Sequence, residues 1–307
     1  MKKILITGGA GTVGSSFINE YYNNYIFYNV SRNETQITKL KQKFPNVTNF
    51  LNDICDLDTL INIFEKVKPD IVIHAAALKH INLAEENPSK ATEINVIGSL
   101  NVIKASIRAK VPLTIGISTD KACEPDSIYG YTKSMMESMF KQYHNKTTKF
   151  ICTRFANVAN SNGSVIPFWK SEAKKGNALK LTDPRMNRLM FSKKESAKLI
   201  HKAIDQSQVS NESFIICKIM KNVNLLQLAK LLSDKEVEIV GKRPGEKLNE
   251  TLISEKEIPY TFILDDYVYI SPTKTDTLYN VRLIKKHSSA NAKTMSKQEM
   301  QDLVWKK

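Results

Sequence analysis

Tyr129 and Lys133 stand four residues apart in Tyr129-Gly130-Tyr131-Thr132-Lys133, just downstream of Ser118-Thr119-Asp120-Lys121. On a helix this spacing puts the phenol and the amine on one face, about one turn apart. A free tyrosine has a pKa of about 10 and is a poor base at neutral pH. Bringing it to about 7 takes roughly 4 kcal/mol. One ammonium about 4 Å away supplies about that much at an effective dielectric of ~20. The pair therefore predicts a phenolate that takes a proton from a hydroxyl. Two residue types at one spacing recur by chance, so the pattern gains its weight from the rest of the chain.

The elements that must position this pair begin at the first residues. Lys2-Lys3-Ile4-Leu5-Ile6-Thr7 is a continuous apolar run, as in a buried parallel strand. It enters Gly8-Gly9-Ala10-Gly11-Thr12-Val13-Gly14, after which Val13, Phe17, Ile18 and Tyr21 recur at helical spacing. Glycine at 8, 11 and 14 lets the backbone approach a pyrophosphate seated on the helix N-terminus, with Thr12 and Val13 in the same loop. A glycine triplet alone is also an ordinary turn. The strand before it and the helix after it favour dinucleotide binding. A second strand is predicted at 25–30, followed by Ser31-Arg32-Asn33. NAD enzymes place a carboxylate here for the ribose 2′-hydroxyl. No acid lies between Tyr21 and Asn33. Ser31 and Arg32 suit a 2′-phosphate, so NADP is favoured over NAD, the other reading being a solvated loop arginine. Asp53, with Ile54 beside it, follows a third strand at 47–51. It either meets the adenine or caps the helix that begins near Asp56.

Further strands are predicted at 71–74, 113–118 and 150–154, and helices near 57–67, 88–109 and 127–145. Such alternation means an α/β fold, a Rossmann-type doubly wound parallel sheet with helices on both faces. Ligands bind beyond the carboxyl ends of such strands. Gly8 to Gly14, His74 to His80, Ser118 to Lys121 and Asn157 all fall there, and their convergence points to an enzyme. His74 itself reads as core. Beyond about residue 160, Pro167, Gly176, Pro184, Pro244, Gly245, Pro259 and Pro272 punctuate shorter elements. The predicted division is a dinucleotide-binding domain at 1–163 with a returning strand at 214–219, a smaller discontinuous substrate lobe at 164–275, and a tail at 276–307. The tail ends in a short helix with Ser296 and Glu299 as its capping box.

The chain has 307 residues, enough for a full core, and a formal charge of +14. Its lysines are scattered, with no long basic run and no aromatic-interleaved motif. That disfavours nucleic acid and suits anionic small molecules in a positive cleft. Cys55, Cys123, Cys152 and Cys217 form no Cys-x-x-Cys. This argues against a metal and a disulfide framework, and for a reducing cytoplasm. Nothing approaches a membrane span.

These motifs resemble a known family. Gly8/Gly11/Gly14, Tyr129-x-x-x-Lys133 and Asn95 in Glu93-Ile94-Asn95-Val96-Ile97-Gly98 look like the extended short-chain dehydrogenases/reductases. Ala75-Ala76-Ala77-Leu78-Lys79-His80, Ser118-Thr119-Asp120-Lys121-Ala122, Gly163-Ser164-Val165-Ile166-Pro167 and Arg243-Pro244-Gly245-Glu246-Lys247-Leu248 narrow this. They are similar to the UDP-N-acetylglucosamine 4,6-dehydratases of flagellin-glycan and capsule pathways. Asn160-Ser161-Asn162 departs from the Gly-Ser-Arg usual before Gly163. The resemblance implies a soluble homo-oligomer with tightly held NADP, a UDP-sugar substrate, and internal redox.

The roles then divide as follows. Tyr129 removes the proton of the carbon-4 hydroxyl while Thr119 hydrogen-bonds that oxygen. Elimination across carbons 5 and 6 needs two adjacent groups in different protonation states. Asp120 is assigned as the carbon-6 acid and Lys121 as the carbon-5 base. Lys121 must be neutral for this, its pKa falling through burial or a nearby cation such as Lys133. Lys79 and His80 are expected to line the sugar pocket, and Asn157 to contact the substrate. Arg188, Arg243 and Lys247 either meet the diphosphate or are solvated charges. Ala75, Ala76 and Lys79 are expected along the cofactor, and Asn95 braces the Lys133 helix through water. The alternatives are a nucleotide-sugar 4-epimerase, which needs no acid–base pair, and a non-catalytic NADP sensor.

Overall fold

The computed structural model describes every residue except 244, 272–280, 284 and 307, so Pro244 and Pro272 lie outside the described residues. β1 (Lys3–Thr7) runs into α1 (Thr12–Tyr21), and β2 (Ile26–Ser31), α2 (Glu34–Lys43), β3 (Thr48–Leu51), α3 (Leu57–Val67) and β4 (Ile71–His74) continue the alternation. α4 (Ile81–Glu86) and α5 (Pro88–Thr92) lead through a π-helical turn (Glu93–Ile97) into α6 (Gly98–Arg108). β5 (Leu113–Thr119) ends in a 3₁₀ turn (Asp120–Ala122), followed by α7 (Ile128–Tyr143), β6 (Lys149–Phe155) and β7 (Asn157–Val158). Then come α8 (Val165–Lys174), β8 (Lys180–Leu181), β9 (Asn187–Phe191), α9 (Lys193–Val209), β10 (Ile215–Lys218), β11 (Asn222–Asn224) and α10 (Leu225–Leu232). The chain closes with β12 (Glu238–Ile239), β13 (Thr251–Ile253), β14 (Thr261–Leu264), β15 (Tyr267–Ile270), β16 (Val281–Arg282), β17 (His287–Ser288) and α11 (Lys297–Trp305).

The main sheet has the order β16-β14-β15-β10-β6-β5-β4-β1-β2-β3. From β3 through β1 to β6 and β10 every pairing is parallel. β15, β14 and β16 add an antiparallel edge. Ile4, Leu5 and Ile6 have no exposed surface, which is why β1 reads as unbroken apolar sequence. One face packs on α1 and α9 through Phe17, Ile18, Leu199, Ile200 and Ile204. The other packs on α3 and α6 through Leu60, Phe64, Val102 and Ala105. This is the doubly wound sheet that the alternation predicts. A separate small core joins α8, α10 and α11 around Trp169, Leu228 and Val304.

Three features depart from the sequence expectation. The helix expected over 88–109 is broken by the π turn at Glu93–Ile97, where Asn95 is buried and bonded to neighbouring segments. α2 escapes notice because it buries only Leu40 and so shows almost no apolar face. α9 also escapes, although Ser192 and Glu195 form its capping box. α9, β10, β14 and β15 all belong to the large-sheet body. Within 164–275, then, only the segments around α8 and α10 form the second core.

Candidate active site

The carboxyl ends of β1, β4 and β5 frame the site. Gly8 (φ +74°) needs its left-handed backbone, and a Cβ there would lie 2.7 Å from the Ala76 amide nitrogen. A Cβ on Gly14 would lie 2.5 Å from Gly9 Cα. Gly14 in the first turn of α1 is therefore pressed against the loop, with Gly11 at the helix N-cap. Such a glycine-lined helix start suits a dinucleotide pyrophosphate, because its free backbone N–H groups point outward. Thr12 Oγ1 accepts a hydrogen bond from Asn162 N (2.9 Å), and Val13 packs into the core. Ala75 N bonds Thr7 O (2.9 Å), continuing the β4 register to the loop.

β5 delivers Thr119, Asp120 and Lys121 into the interior. Asp120 has no exposed surface. Its Oδ1 accepts from Thr119 Oγ1 (2.9 Å) and Lys121 Nζ (3.0 Å), while Oδ2 is buried with no hydrogen-bond partner. Lys121 is also 3.6 Å from Glu250, whose carboxylate is in turn 3.9 Å from Arg188 Nη2. Burial alone would push the Lys121 amine down, but Asp120 and Glu250 outweigh it and hold the ammonium above its ordinary range. Arg188 opposes them. The expected neutral Lys121 is thus corrected: in this structure it is a cation between two carboxylates. Burial also raises the Glu250 carboxyl, with Lys121 opposing and Asp120 adding to the rise.

α7 brings Tyr129 to this turn. A Cβ on Gly130 would lie 2.4 Å from the Lys121 carbonyl oxygen, so only glycine lets the helix come this close. Burial pushes Tyr129 up to about 12, against the pull of Lys121 and a hydrogen bond with Thr119, and with Asp120 adding to the rise. Lys133 is 2% exposed and its Nζ lies 3.2 Å from Met136 Sδ. Burial lowers it to about 8, with Cys152 and Glu137 opposing. A phenolate made by Lys133 is therefore also corrected. Tyr129 is a neutral phenol here, and the cation acting on it is Lys121. His74, the core histidine, is lowered to about 3 by burial, then by Lys133, and sits between Thr7 Oγ1 (2.7 Å) and Ser99 Oγ (2.9 Å).

The remaining residues fall into place unevenly. Asn95 Nδ2 donates directly to Thr132 Oγ1 (3.0 Å) and to Leu78 O (3.0 Å), and its Oδ1 accepts from Leu78 N (2.8 Å). It braces α7 without the intervening water that the sequence reading invokes. Asp56 caps α3, accepting from Thr59 N (3.1 Å). Asp53 instead accepts from Cys55 N (3.0 Å) and Arg32 Nη1 (3.3 Å), so its capping alternative is excluded. Arg32 is exposed at the end of β2, whereas the Ser31 hydroxyl is turned inward to Asn29 Oδ1 (2.8 Å). Ile54 is buried against Gly98. Lys79 Nζ donates to Asn162 O (2.8 Å), and the His80 ring lies under Gly163. Asn157 Nδ2 donates to Leu189 O (3.1 Å).

Arg188 is 9% exposed and donates to the carbonyls of Asn187 (2.9 Å), Leu248 (3.1 Å) and Lys247 (2.9 Å). It faces inward, not toward a solvent-facing phosphate. Lys247 Nζ donates to Glu124 O (2.6 Å) and lies 3.5 Å from Asp126. Arg243 is exposed. Sequence reasoning missed Glu250. A single glutamate at the end of Lys247-Leu248-Asn249-Glu250 has no spacing partner, and only the fold brings it to Lys121. The described residues hold no His, Cys, Asp and Glu cluster arranged for a metal, and no helix among them is long and apolar enough to cross a membrane.

A family model described as a polysaccharide biosynthesis protein matches residues 4–272. The chain belongs to this polysaccharide biosynthesis family. A Campylobacter jejuni protein named UDP-N-acetylglucosamine 4,6-dehydratase (inverting) is 37% identical over 287 residues, covering 89% of this chain and 83% of its own. A Methanocaldococcus jannaschii protein named an uncharacterized membrane protein is 35% identical, covering 99% and 95%. The X-ray structure of Pen from Bacillus thuringiensis superposes with a TM-score of 0.90 at 28% identity, covering 99% and 96%. The motif resemblance to the 4,6-dehydratases and the Rossmann-type fold thus both stand.

Proposed function

We propose that this family member is an NADP-dependent lyase that converts a UDP-N-acetylhexosamine, UDP-N-acetylglucosamine first among them, to a UDP-4-keto-6-deoxy sugar with inversion at carbon 5. The observation that carries this is the buried Asp120–Lys121 pair beside Tyr129, on a scaffold 37% identical to relatives named for that reaction. The glycine cradle fits the cofactor's pyrophosphate, and exposed Arg32 at the end of β2 is the natural partner for a 2′-phosphate. When bound, the nicotinamide supplies the acceptor and later the donor of one hydride.

The chain's own groups handle the protons. Tyr129, a phenol in the free site, first gives up its own proton to solvent; as a phenolate it then takes the proton of the carbon-4 hydroxyl, with Thr119 hydrogen-bonded to that oxygen. Lys121 and Asp120 carry one proton between them across 3.0 Å. When the Nζ–H bond breaks and an O–H bond forms on Asp120, the ion pair becomes an amine and a carboxylic acid. These are the two states elimination needs. The amine then takes the carbon-5 proton, and the Asp120 proton leaves with the carbon-6 hydroxyl as water. Burial works toward the neutral pair, because it removes two desolvated charges, whereas in the free site Asp120 and Glu250 outweigh it.

Incubation with UDP-N-acetylglucosamine in deuterated water tests the assignment. The expected product is lighter by one water and carries deuterium at carbon 5. Unchanged sugar overturns it. A second reading, a 4-epimerase, is favoured by the charged Lys121, since an ammonium is no base and an epimerase needs only Tyr129. That reading predicts a carbon-4 epimer without solvent deuterium, and an Asp120→Asn variant that keeps turning over.

A further inference from the structure

The reaction proposed above gives Glu250 no task, yet Glu250 sits in the centre of the charge cluster. It directly precedes β13, which lies against the 3₁₀ turn of Asp120 and Lys121. Its side chain is 5% exposed, and its backbone amide is fixed by Ser289 Oγ (3.0 Å). At 3.6 Å from Lys121 Nζ and 3.9 Å from Arg188 Nη2 it is beyond hydrogen-bond reach of either, so it acts on both as a charge. The other groups facing Lys121 are Asp120 on its own turn, Arg188 from β9 and Tyr129 from α7. Lys247 also faces Glu250.

The charge count decides what Glu250 does. Asp120 and Glu250 balance Lys121 and Arg188, and Lys247 is offset by Asp126 at 3.5 Å, so the buried cluster is neutral with one mobile proton on Lys121. Without the Glu250 charge the cluster would carry one net positive charge. Its least costly route to neutrality would be to lose the Lys121 proton to solvent. The amine would then be free as a base, but Asp120 would have no proton to hand on. We propose that Glu250 is a positioning residue for the elimination, whose charge retains in the cluster the proton that Asp120 delivers to the departing hydroxyl. The inference rests on the acid and base assignments of the preceding section.

The test is Glu250→Gln, which keeps the shape and removes the charge, incubated with UDP-N-acetylglucosamine in deuterated water across a pH series. Reduced nicotinamide should still form on mixing, which reports a folded site and intact carbon-4 oxidation. Water loss should fall at least about 100-fold at neutral pH. Recovered UDP-N-acetylglucosamine should nevertheless carry deuterium at carbon 5. The pH optimum for water loss should move to lower pH, because a lone Asp120 must take its proton from solvent. Glu250→Asp, which keeps the charge, should restore the parent profile. Water loss at the parent rate with an unmoved profile overturns the proposal. So does a parallel loss of exchange and water loss at every pH, which is what a merely structural role gives. Lys121→Met separates the underlying reading: carbon-5 exchange that survives in that variant shows the base is elsewhere, whatever Glu250 does.

Discussion

Tyr129 enters the site as a neutral phenol, pushed up to about 12, and Lys133 as an amine lowered to about 8. Each residue carries its own prediction. On the proposed reaction, Tyr129→Phe removes the hydroxyl assigned to the carbon-4 oxygen, so kcat should fall about 10²–10⁴-fold with cofactor retention unchanged. The measurement is formation of reduced nicotinamide in a single turnover. Lys133 predicts a stability effect of definite sign. Its folded pKa, about 8, lies below the ordinary 10.5. Between these values the unfolded chain holds the proton that the fold has released, so this group's contribution to stability rises with pH through that window. Below it the penalty for burying an ammonium is present in full. Lys133→Met should therefore be more stable than the parent at pH 7, by about 3 kcal/mol at most, with the gap closing toward pH 10.5. Urea midpoints at three pH values check this, and a gap independent of pH contradicts it.

At the scale of elements, α7 is placed by what it lacks. Gly130 lets the helix press on the Lys121 carbonyl, and Asn95 ties its Thr132 to the loop after β4. A methyl group at 130 must push α7 away from the turn that carries Asp120 and Lys121. Gly130→Ala should cost about 100-fold in kcat, since displacement by about 1 Å is enough to do so. Steady-state kinetics measure it, and unchanged kcat would mean that the helix position is not critical. The sequence shows α7, β5 and the glycine loop plainly, because each has an unbroken period or an invariant chemical need for glycine. It hides the π turn, because one extra residue in a helical period is invisible where Ile94, Val96 and Ile97 already blur the apolar face. It hides α9 for a different reason: Pro167, Gly176 and Pro184 ahead of it suggest loops, although its capping box is readable at Ser192 and Glu195.

At the scale of the whole molecule, Arg154 ties distant stretches of the chain together. It is 2% exposed at the end of β6 and binds Glu137 of α7 (2.7 Å), Glu257 (2.9 Å) and the Leu252 carbonyl (2.9 Å). Cys123 joins the same group through Glu257 (3.3 Å). Arg154→Met would leave two carboxylates buried without their cation, at a cost of about 3–5 kcal/mol, read from the urea midpoint. A midpoint within error of the parent would contradict it. None of this network is legible in sequence, because Glu137 lies 17 residues and Glu257 103 residues from Arg154, and none of them has a motif. The same holds for Glu250 and for the inward turn of Arg188: long-range ion pairing is a property of the folded arrangement, not of local spacing.

The loop over the glycine cradle has a related consequence. Lys79 and Thr12 both grip residue 162 through its peptide group, the one at the carbonyl and the other at the amide. A side chain that makes neither bond is under no chemical obligation there. Asparagine can stand there in place of the arginine that the motif resemblance leads one to expect, and the strap across the glycine loop does not depend on the exchange. Inherited geometry can thus outlast the letters that usually announce it.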